Sequence, residues 1–428
     1  MFTMVTKPEK STLRQVVAEW LEEWEPPPLI PREGHDIQPQ GLKRILAIVG
    51  PRRAGKTFFM YQLISSILAD GAFSKEDILF LDFEDFRLVG LDGHGIEELL
   101  AVFYQLAGRY PRFLFFDEVQ NLPDWSRVLR TLHNRRRFHI VVSGSNSRLL
   151  SREVATELRG RYDHILLLPF SFREYLLLRG IAFTPATLHT AARGRIVAAF
   201  EEHIRHGGFP EVVMATSEAE RRRLLQGYFR TIFYRDILER YNIKARHVLE
   251  AMMSEFLETY SSTFSITKFE KHLRTSGLPA SKRTIANYLQ HLTEAFYIIL
   301  SEKFSFSPRR RIMNPKKTYL TDLGFAALGH PHRENRGRVL ENVVAIELFR
   351  RQLDLCYYKG RRECDFIVYD GGGTRQAIQV CWEMTRRNSQ REIAGLVEAC
   401  RTLGLPTGLI LTHDQEEHHY EASGVEIS

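Results

Sequence analysis

Gly50-Pro51-Arg52-Arg53-Ala54-Gly55-Lys56-Thr57 fits the pattern G-x-x-x-x-G-K-[ST], and the rest of the chain is placed from it. Gly50 and Gly55 let the backbone wrap tightly and turn N–H groups inward. Those donors, with the positive end of the following helix, suit the phosphates of a nucleotide. The Lys56 ammonium is expected to reach the β- and γ-phosphates, and the Thr57 hydroxyl to ligate Mg²⁺. ATP and Mg²⁺ are therefore the expected cofactors, and Gly50, Pro51, Arg52, Arg53, Ala54, Gly55, Lys56 and Thr57 the expected phosphate cradle. The flanks supply the setting: residues 44–49 read as a buried strand and residues 57–68 as a helix.

The chain has 428 residues, room for about two to four domains. Its 44% hydrophobic share suits folded globular domains. No apolar run approaches the ~18 residues of a membrane span, and residues 1–14 lack the apolar core of a signal peptide. No membrane partner and a cytoplasmic location are the expectation. Cys356, Cys364, Cys381 and Cys400 form no C-x-x-C pair, which suits a reducing compartment. A net charge of +7 and a pI of 9.2 permit a nucleic-acid partner without requiring one.

Residues 1–40 read as an appendage. Apolar positions with helical spacing run from Leu13 to Trp24, and the prolines from Pro26 to Pro31 form a stiff extended linker. Residues 41–168 alternate strands and helices. The strands are 77–83, 112–118, 138–142 and 165–168; helices cover 95–108 and 125–137. The alternation argues for a doubly wound parallel sheet.

Asp117 and Glu118 close an all-apolar strand, at the carboxyl end where open α/β sheets bind ligands. Asp117 suits the role of holding Mg²⁺, and Glu118 that of the base polarising the attacking water. The alternative is a pair of acids capping the next helix. Ser143-Gly144-Ser145-Asn146 ends the next strand. Ser145 is the candidate for orienting that water; an ordinary helix N-cap accounts for it equally well. Two arginines flank a glycine in Arg159-Gly160-Arg161. Either is placed to act on a neighbouring subunit's phosphates, or both are surface arginines.

Residues 50–57, 115–120, 143–146 and 160–161 together resemble prokaryotic ATPases of the AAA+ superfamily. They resemble in particular an archaeal and bacterial group in which the ATPase is followed by a winged helix and a restriction-endonuclease-like domain. The resemblance implies Arg161 as the arginine acting on a neighbour. It also implies an α/β P-loop core with parallel sheet order 5-1-4-3-2, a helical lid, a winged helix and a C-terminal nuclease-like α/β domain. It implies too a homo-oligomer, six subunits being one form.

On this reading residues 169–245 form the lid. Two stretches, 206–211 and 234–241, resemble family signatures, and helix packing with i,i+4 ion pairs explains them as well. Residues 246–325 read as the winged helix. Lys282 and Arg283 lie at the start of its recognition helix, and Arg309, Arg310, Arg311, Lys316 and Lys317 in a basic wing suited to DNA phosphates. Residues 326–428 resemble the PD-(D/E)xK nuclease fold, with Glu341 and Asp365 as its acids. The pattern then wants an acid, one residue and a lysine; this chain has Gln379 and Cys381. Glu383, four residues beyond Gln379 on an expected continuous strand, would face the same way. A nuclease-like scaffold without cleavage activity is expected, with Gly371-Gly372-Gly373 as a hairpin turn.

Three functions fit: an ATP-driven ring motor on DNA, branched or junction DNA included; a nucleotide-dependent switch in defence or regulation; and an ATP-gated nuclease, against which Gln379 and Cys381 count.

Overall fold

The computed structural model describes residues 7–33, 37–145, 158, 160–329, 335–369, 373–415, 420–422 and 424–428. The chain divides into two compact units, Met1–Ile181 and Ala182–Ser428.

Among the described residues of the first unit the strands are β1 (Ile45–Val49), β2 (Ile78–Asp82), β3 (Phe113–Asp117), β4 (His139–Gly144) and β5 (Tyr162–Leu166). β1 and β3 are buried along their whole length, as strands covered on both faces must be. All pairings are parallel and the order is β2-β3-β4-β1-β5, the 5-1-4-3-2 order expected of the P-loop AAA+ fold. Local chemistry sets the helix ends. The helix Gly93–Ala107 starts where the Asp92 carboxylate accepts the Gly95 N–H at 3.0 Å and stops at Gly108 with φ 72°, a left-handed cap that favours glycine. The helix Trp125–Asn134 buries only Val128, Leu129 and Leu132, the spacing of one helical face.

The described part of the expected N-terminal appendage packs against the first unit's sheet. A helix, Lys10–Ala18, continues into a wider turn at Glu19–Glu23 and buries Leu13, Val17 and Trp20. Trp20 Nε1 donates to the Ile78 carbonyl at 2.5 Å, and its ring stacks on Phe80. The apolar spacing seen from Leu13 onward is thus the face that meets the five-stranded sheet.

The second unit begins with helices, among them Arg193–His206, Glu218–Thr231, Arg246–Thr259, Ile266–Thr275 and Lys282–Glu294. Among the described residues its strands are β6 (Ser262–Phe264), β7 (Ile298–Lys303), β8 (Lys316–Leu320), β9 (Asp354–Lys359), β10 (Glu363–Tyr369), β11 (Thr374–Val380), β12 (Thr407–Leu411), β13 (Tyr420–Ala422) and β14 (Val425–Ile427). They form one sheet, β13-β14-β12-β11-β10-β9-β7-β8-β6. β7 pairs antiparallel with β8 and parallel with β9, so the sheet runs across residue 325. One apolar core likewise draws on Phe209, Phe233, Met252, Leu289 and Phe325.

The hairpin expected as a basic wing carries a short helix, Pro308–Met313, at its tip; Pro308 at its first position supplies a pre-set φ. One local expectation needs correction. β11 ends at Val380 and Glu383 is exposed beyond it, so Glu383 does not share the strand face of Gln379. Gly371 and Gly372 fall outside the described residues.

Candidate active site

The cradle forms where β1 gives way to the helix Lys56–Ala69. Gly50 is required by a close approach: a Cβ there would lie 1.9 Å from the Leu167 carbonyl oxygen. Gly55 caps the helix with φ 92°, a conformation glycine adopts without strain. The first helical turn then presents N–H groups that have no intrahelical acceptor. Lys56 is buried, and its Nζ donates to the Gly50 and Pro51 carbonyls at 3.2 and 3.0 Å. This places the ammonium over the loop.

The acids come from the ends of β2 and β3. The Thr57 hydroxyl donates to Asp117 Oδ2 at 2.6 Å, and the Ser143 hydroxyl donates to Asp117 Oδ1. Glu118 follows in a left-handed conformation, φ 48° and ψ 49°, uncommon for a residue with a side chain. Its N–H donates to Ser143 Oγ at 3.0 Å, its Oε1 lies 3.4 Å from Lys56 Nζ, and Gln120 Nε2 donates to its Oε2. Ser145 follows β4 and is buried; its hydroxyl faces Glu118 and helps hold that carboxyl low.

Charge is divided unequally across this cluster. Burial raises the Asp117 carboxyl above the ordinary range and Glu118 repels it further, against the hydroxyls of Ser143 and Thr57. Burial acts on Glu118 in the same sense, but Lys56 and Arg52 outweigh it and hold the group at about 2. Asp82, in register with Asp117 across β2 and β3, is pushed up to about 6, chiefly by burial. Asp82 was not among the expected site residues. Its signal was present: Ile-Leu-Phe-Leu-Asp and Phe-Leu-Phe-Phe-Asp are two five-residue strands that end alike.

Arg32 was also missed. It is buried, with Nε 2.7 Å from Glu174 Oε1; its guanidinium donates to the Ala54 carbonyl at 2.8 Å and the Leu168 carbonyl at 2.6 Å. Glu174 is the fourth residue of the capping box Ser171-Phe172-Arg173-Glu174, a readable helix start. Arg32 thus braces the loop from the N-terminal segment. The Arg52 guanidinium reaches Glu84 at 2.7 Å, a further brace on the cradle's rim.

These donors fit a nucleotide and its metal. A hydroxyl and a carboxylate sit side by side at Thr57 and Asp117, hard oxygen ligands of the kind Mg²⁺ takes. The glycine at position 50 leaves room only for backbone.

Arg161 lies at the other end of the sheet. Its carbonyl accepts the Ile45 N–H at 2.9 Å, at the amino ends of β1 and β5, and its guanidinium donates to Asn134 at 2.7 Å. Five strand residues separate that end from the cradle, about 16 Å. Asn146 and Arg159 are outside the described residues.

In the second unit Lys282, Arg283, Arg309, Arg310 and Arg311 are exposed. Lys316 is tied to Glu302 Oε1 at 2.6 Å and to the Arg311 carbonyl at 2.7 Å. Lys317 corrects the expectation outright: it is 3% exposed and points into the fold, because adjacent residues of a strand face opposite sides. The stretch 206–211 also has a structural role. Gly207 (φ +75°) and Gly208 wrap the buried Asp322 carboxylate, which accepts the Gly208 and Gly324 N–H groups at 2.7 and 2.8 Å. In 234–241 Asp236 is buried, 3.9 Å from Arg240. All four cysteines are free, and no described helix is long and apolar enough to cross a membrane.

The AAA domain family matches residues 42–176, and a domain family of unknown function matches residues 197–330. Over 367 residues the chain is 32% identical to an uncharacterized protein of Methanocaldococcus jannaschii, covering 85% of this chain and 80% of that one. Over 329 residues it is 30% identical to an uncharacterized protein of Haemophilus influenzae, covering 76% and 79%. The Walker-type ATPase of Pyrococcus abyssi is similar in structure at a TM-score of 0.42 and 12% identity, covering 76% of this chain and 99% of that one.

Proposed function

The chain carries an AAA domain and belongs to the family it shares with the Methanocaldococcus jannaschii and Haemophilus influenzae proteins, and on that footing we propose that it hydrolyses ATP with Mg²⁺. The observation that carries the reading is the pairing at the strand ends: Thr57 against Asp117, and Lys56 against an ionised Glu118. Thr57 and Asp117 would hold the metal, which when bound neutralises phosphate oxygens. The backbone of residues 50–57 and the Lys56 ammonium would hold the phosphates. As Lys56 turns to a phosphate it leaves Glu118. Burial then acts on that carboxylate with less opposition, which makes it a better acceptor for the proton of an attacking water. Ser145 would orient that water. Steady-state ATP turnover of the full chain, with and without Mg²⁺, tests the reading.

Arg161 supports shared sites in a homo-oligomer. Its place at the amino end of the edge strand β5 keeps it from its own cradle and suits a neighbour's. DNA is the partner in this reading. The support is the exposed cations Lys282 and Arg283 at a helix start and Arg309–Arg311 at a hairpin tip, a pattern suited to phosphate contacts. A ring motor on DNA is the form this takes.

A second reading, a slow nucleotide-dependent switch, is favoured by one contact. Gln120 occupies Glu118 Oε2 while Lys56 faces Oε1. Turnover would then wait on a partner that releases the carboxylate.

A further inference from the structure

The hairpin between β7 and β8 carries three large apolar side chains into water. Phe306 is 79% exposed, Ile312 72% and Met313 78%. Arg309, Arg310 and Arg311 stand between them in the chain, all exposed. Single exposed apolar residues are ordinary on a folded protein; three on one short projection mark a surface that meets something.

The projection stands on a fixed base. The Phe306 ring meets Phe304 edge-on at 5.0 Å, and Phe304 stacks on Tyr369 of β10. Tyr357 of β9 holds both legs of the hairpin: its carbonyl accepts the Phe304 N–H at 2.7 Å, and its hydroxyl donates to the Pro315 carbonyl at 2.8 Å. Lys316 adds a tie across the hairpin, from Glu302 to the Arg311 carbonyl. A tip that is ordered beforehand loses little freedom on binding.

The pattern of side chains selects the partner. Ile312 and Met313 follow Arg309 by three and four residues, so on the helix Pro308–Met313 cation and apolar groups share a side. A helix that lies on a bilayer keeps its charged and apolar faces apart. Three like charges also oppose pairing with the same tip of a second copy. Apolar side chains set among cations suit duplex DNA: the cations take phosphates, and the apolar groups enter between base steps, as Phe, Ile and Met do in wedges that kink the duplex. We propose that this tip is a DNA wedge. Arg309, Arg310 and Arg311 seat it on phosphates; Ile312 and Met313, with Phe306 on the entering leg, insert at a base step and open its stacking. The proposal rests on the DNA reading above and narrows its substrate to duplex whose stacking is already weak, as at a mismatch, a bulge or a junction, where less unstacking remains to be done.

The test compares a matched duplex with the same duplex carrying a central mismatch, on the full chain. Affinity is read by fluorescence anisotropy and bending by energy transfer between dyes on the two ends. Wild type should bind the mismatched duplex about tenfold or more tightly than the matched one and bring its ends together. Ile312→Ser with Met313→Ser should lose both the preference and the bend and keep the salt dependence, with circular dichroism confirming the fold. Phe306→Ala, on the other leg, repeats the comparison should the double variant fail to fold. A folded double variant that keeps preference and bend would overturn the wedge. So would wild type that binds both duplexes equally and leaves them straight, with a salt slope carried by Arg309, Arg310 and Arg311; the DNA reading would then survive alone. No affinity of wild type for either duplex would end both readings. Uptake by phosphatidylserine vesicles that the double variant loses would assign the tip to a membrane surface and overturn the wedge.

Discussion

Lys56 Nζ stands 3.4 Å from Glu118 Oε1, so the proposed phosphate ligand and the proposed base are partners in one buried ion pair. Their substitutions should therefore separate cleanly. Lys56→Ala removes a phosphate contact and should weaken nucleotide binding. Glu118→Gln keeps the cradle and should bind ATP while turnover falls on the order of 10²-fold or more, the usual worth of a positioned base. Binding by equilibrium dialysis beside steady-state turnover checks both. Wild-type turnover by Glu118→Gln would remove the base from β3's end.

Gln120 offers a sharper test of the switch. If its amide restrains Glu118, Gln120→Ala should raise basal turnover and shrink whatever stimulation a DNA partner gives. A fall in basal turnover would make Gln120 a positioning residue for the reaction instead.

Arg161 should matter only between subunits. Mixing Arg161→Ala with Lys56→Ala chains unites, at some interfaces, an intact cradle with an intact arginine. Turnover should return in the mixture although neither variant works alone, since such an arginine is worth ~10³–10⁵ in rate. Mixed oligomers without any recovered turnover would favour a self-contained site.

DNA affinity should depend on salt through the hairpin tip. Each phosphate contact adds ~0.9 to the slope of log K against log salt on B-form DNA. Replacing Arg309, Arg310 and Arg311 by Ala should flatten that slope; an unchanged slope would move the DNA surface elsewhere.

Asp322 gives a pH signature. Burial, against the amides of Gly208 and Gly324, raises its carboxyl from 3.8 to about 6. The folded state therefore holds this proton more tightly than the unfolded chain does. The resulting stabilisation is complete below pH 3.8 and is lost as pH rises through 6, a change of roughly 3 kcal/mol. Urea midpoints measured from about pH 4 to about pH 7 should fall with a component that Asp322→Asn removes. Gly207→Ala should unfold this corner at any pH, because its Cβ would meet Asp322 Oδ1 at 1.8 Å.

The candidate nucleotide site was legible because its pieces are local: a glycine loop between an apolar strand and a helix, and two acids closing another apolar strand. The sheet order followed from resemblance, since strand spacing says nothing about which strand pairs with which. What escaped notice was long-range. Arg32 meets Glu174 across 142 positions, and nothing near Arg32 in the chain announces a buried partner. Lys317 was misread for a more avoidable reason. Two lysines in succession on one strand cannot both face solvent if the sheet is covered on one side, and Lys316 and Lys317 part company accordingly.

The brace from Arg32 has a consequence for how this domain is handled. The AAA match begins at residue 42, which makes residue 42 a natural place to start a shortened protein. Such a protein would lack Arg32 and leave Glu174 ionised in a buried place, a loss of about 3–5 kcal/mol where one partner of a buried pair is removed. It would also uncover the surface that Leu13, Val17 and Trp20 occupy. The boundary drawn by similarity is therefore not the boundary of stability, which begins at the helix Lys10–Ala18.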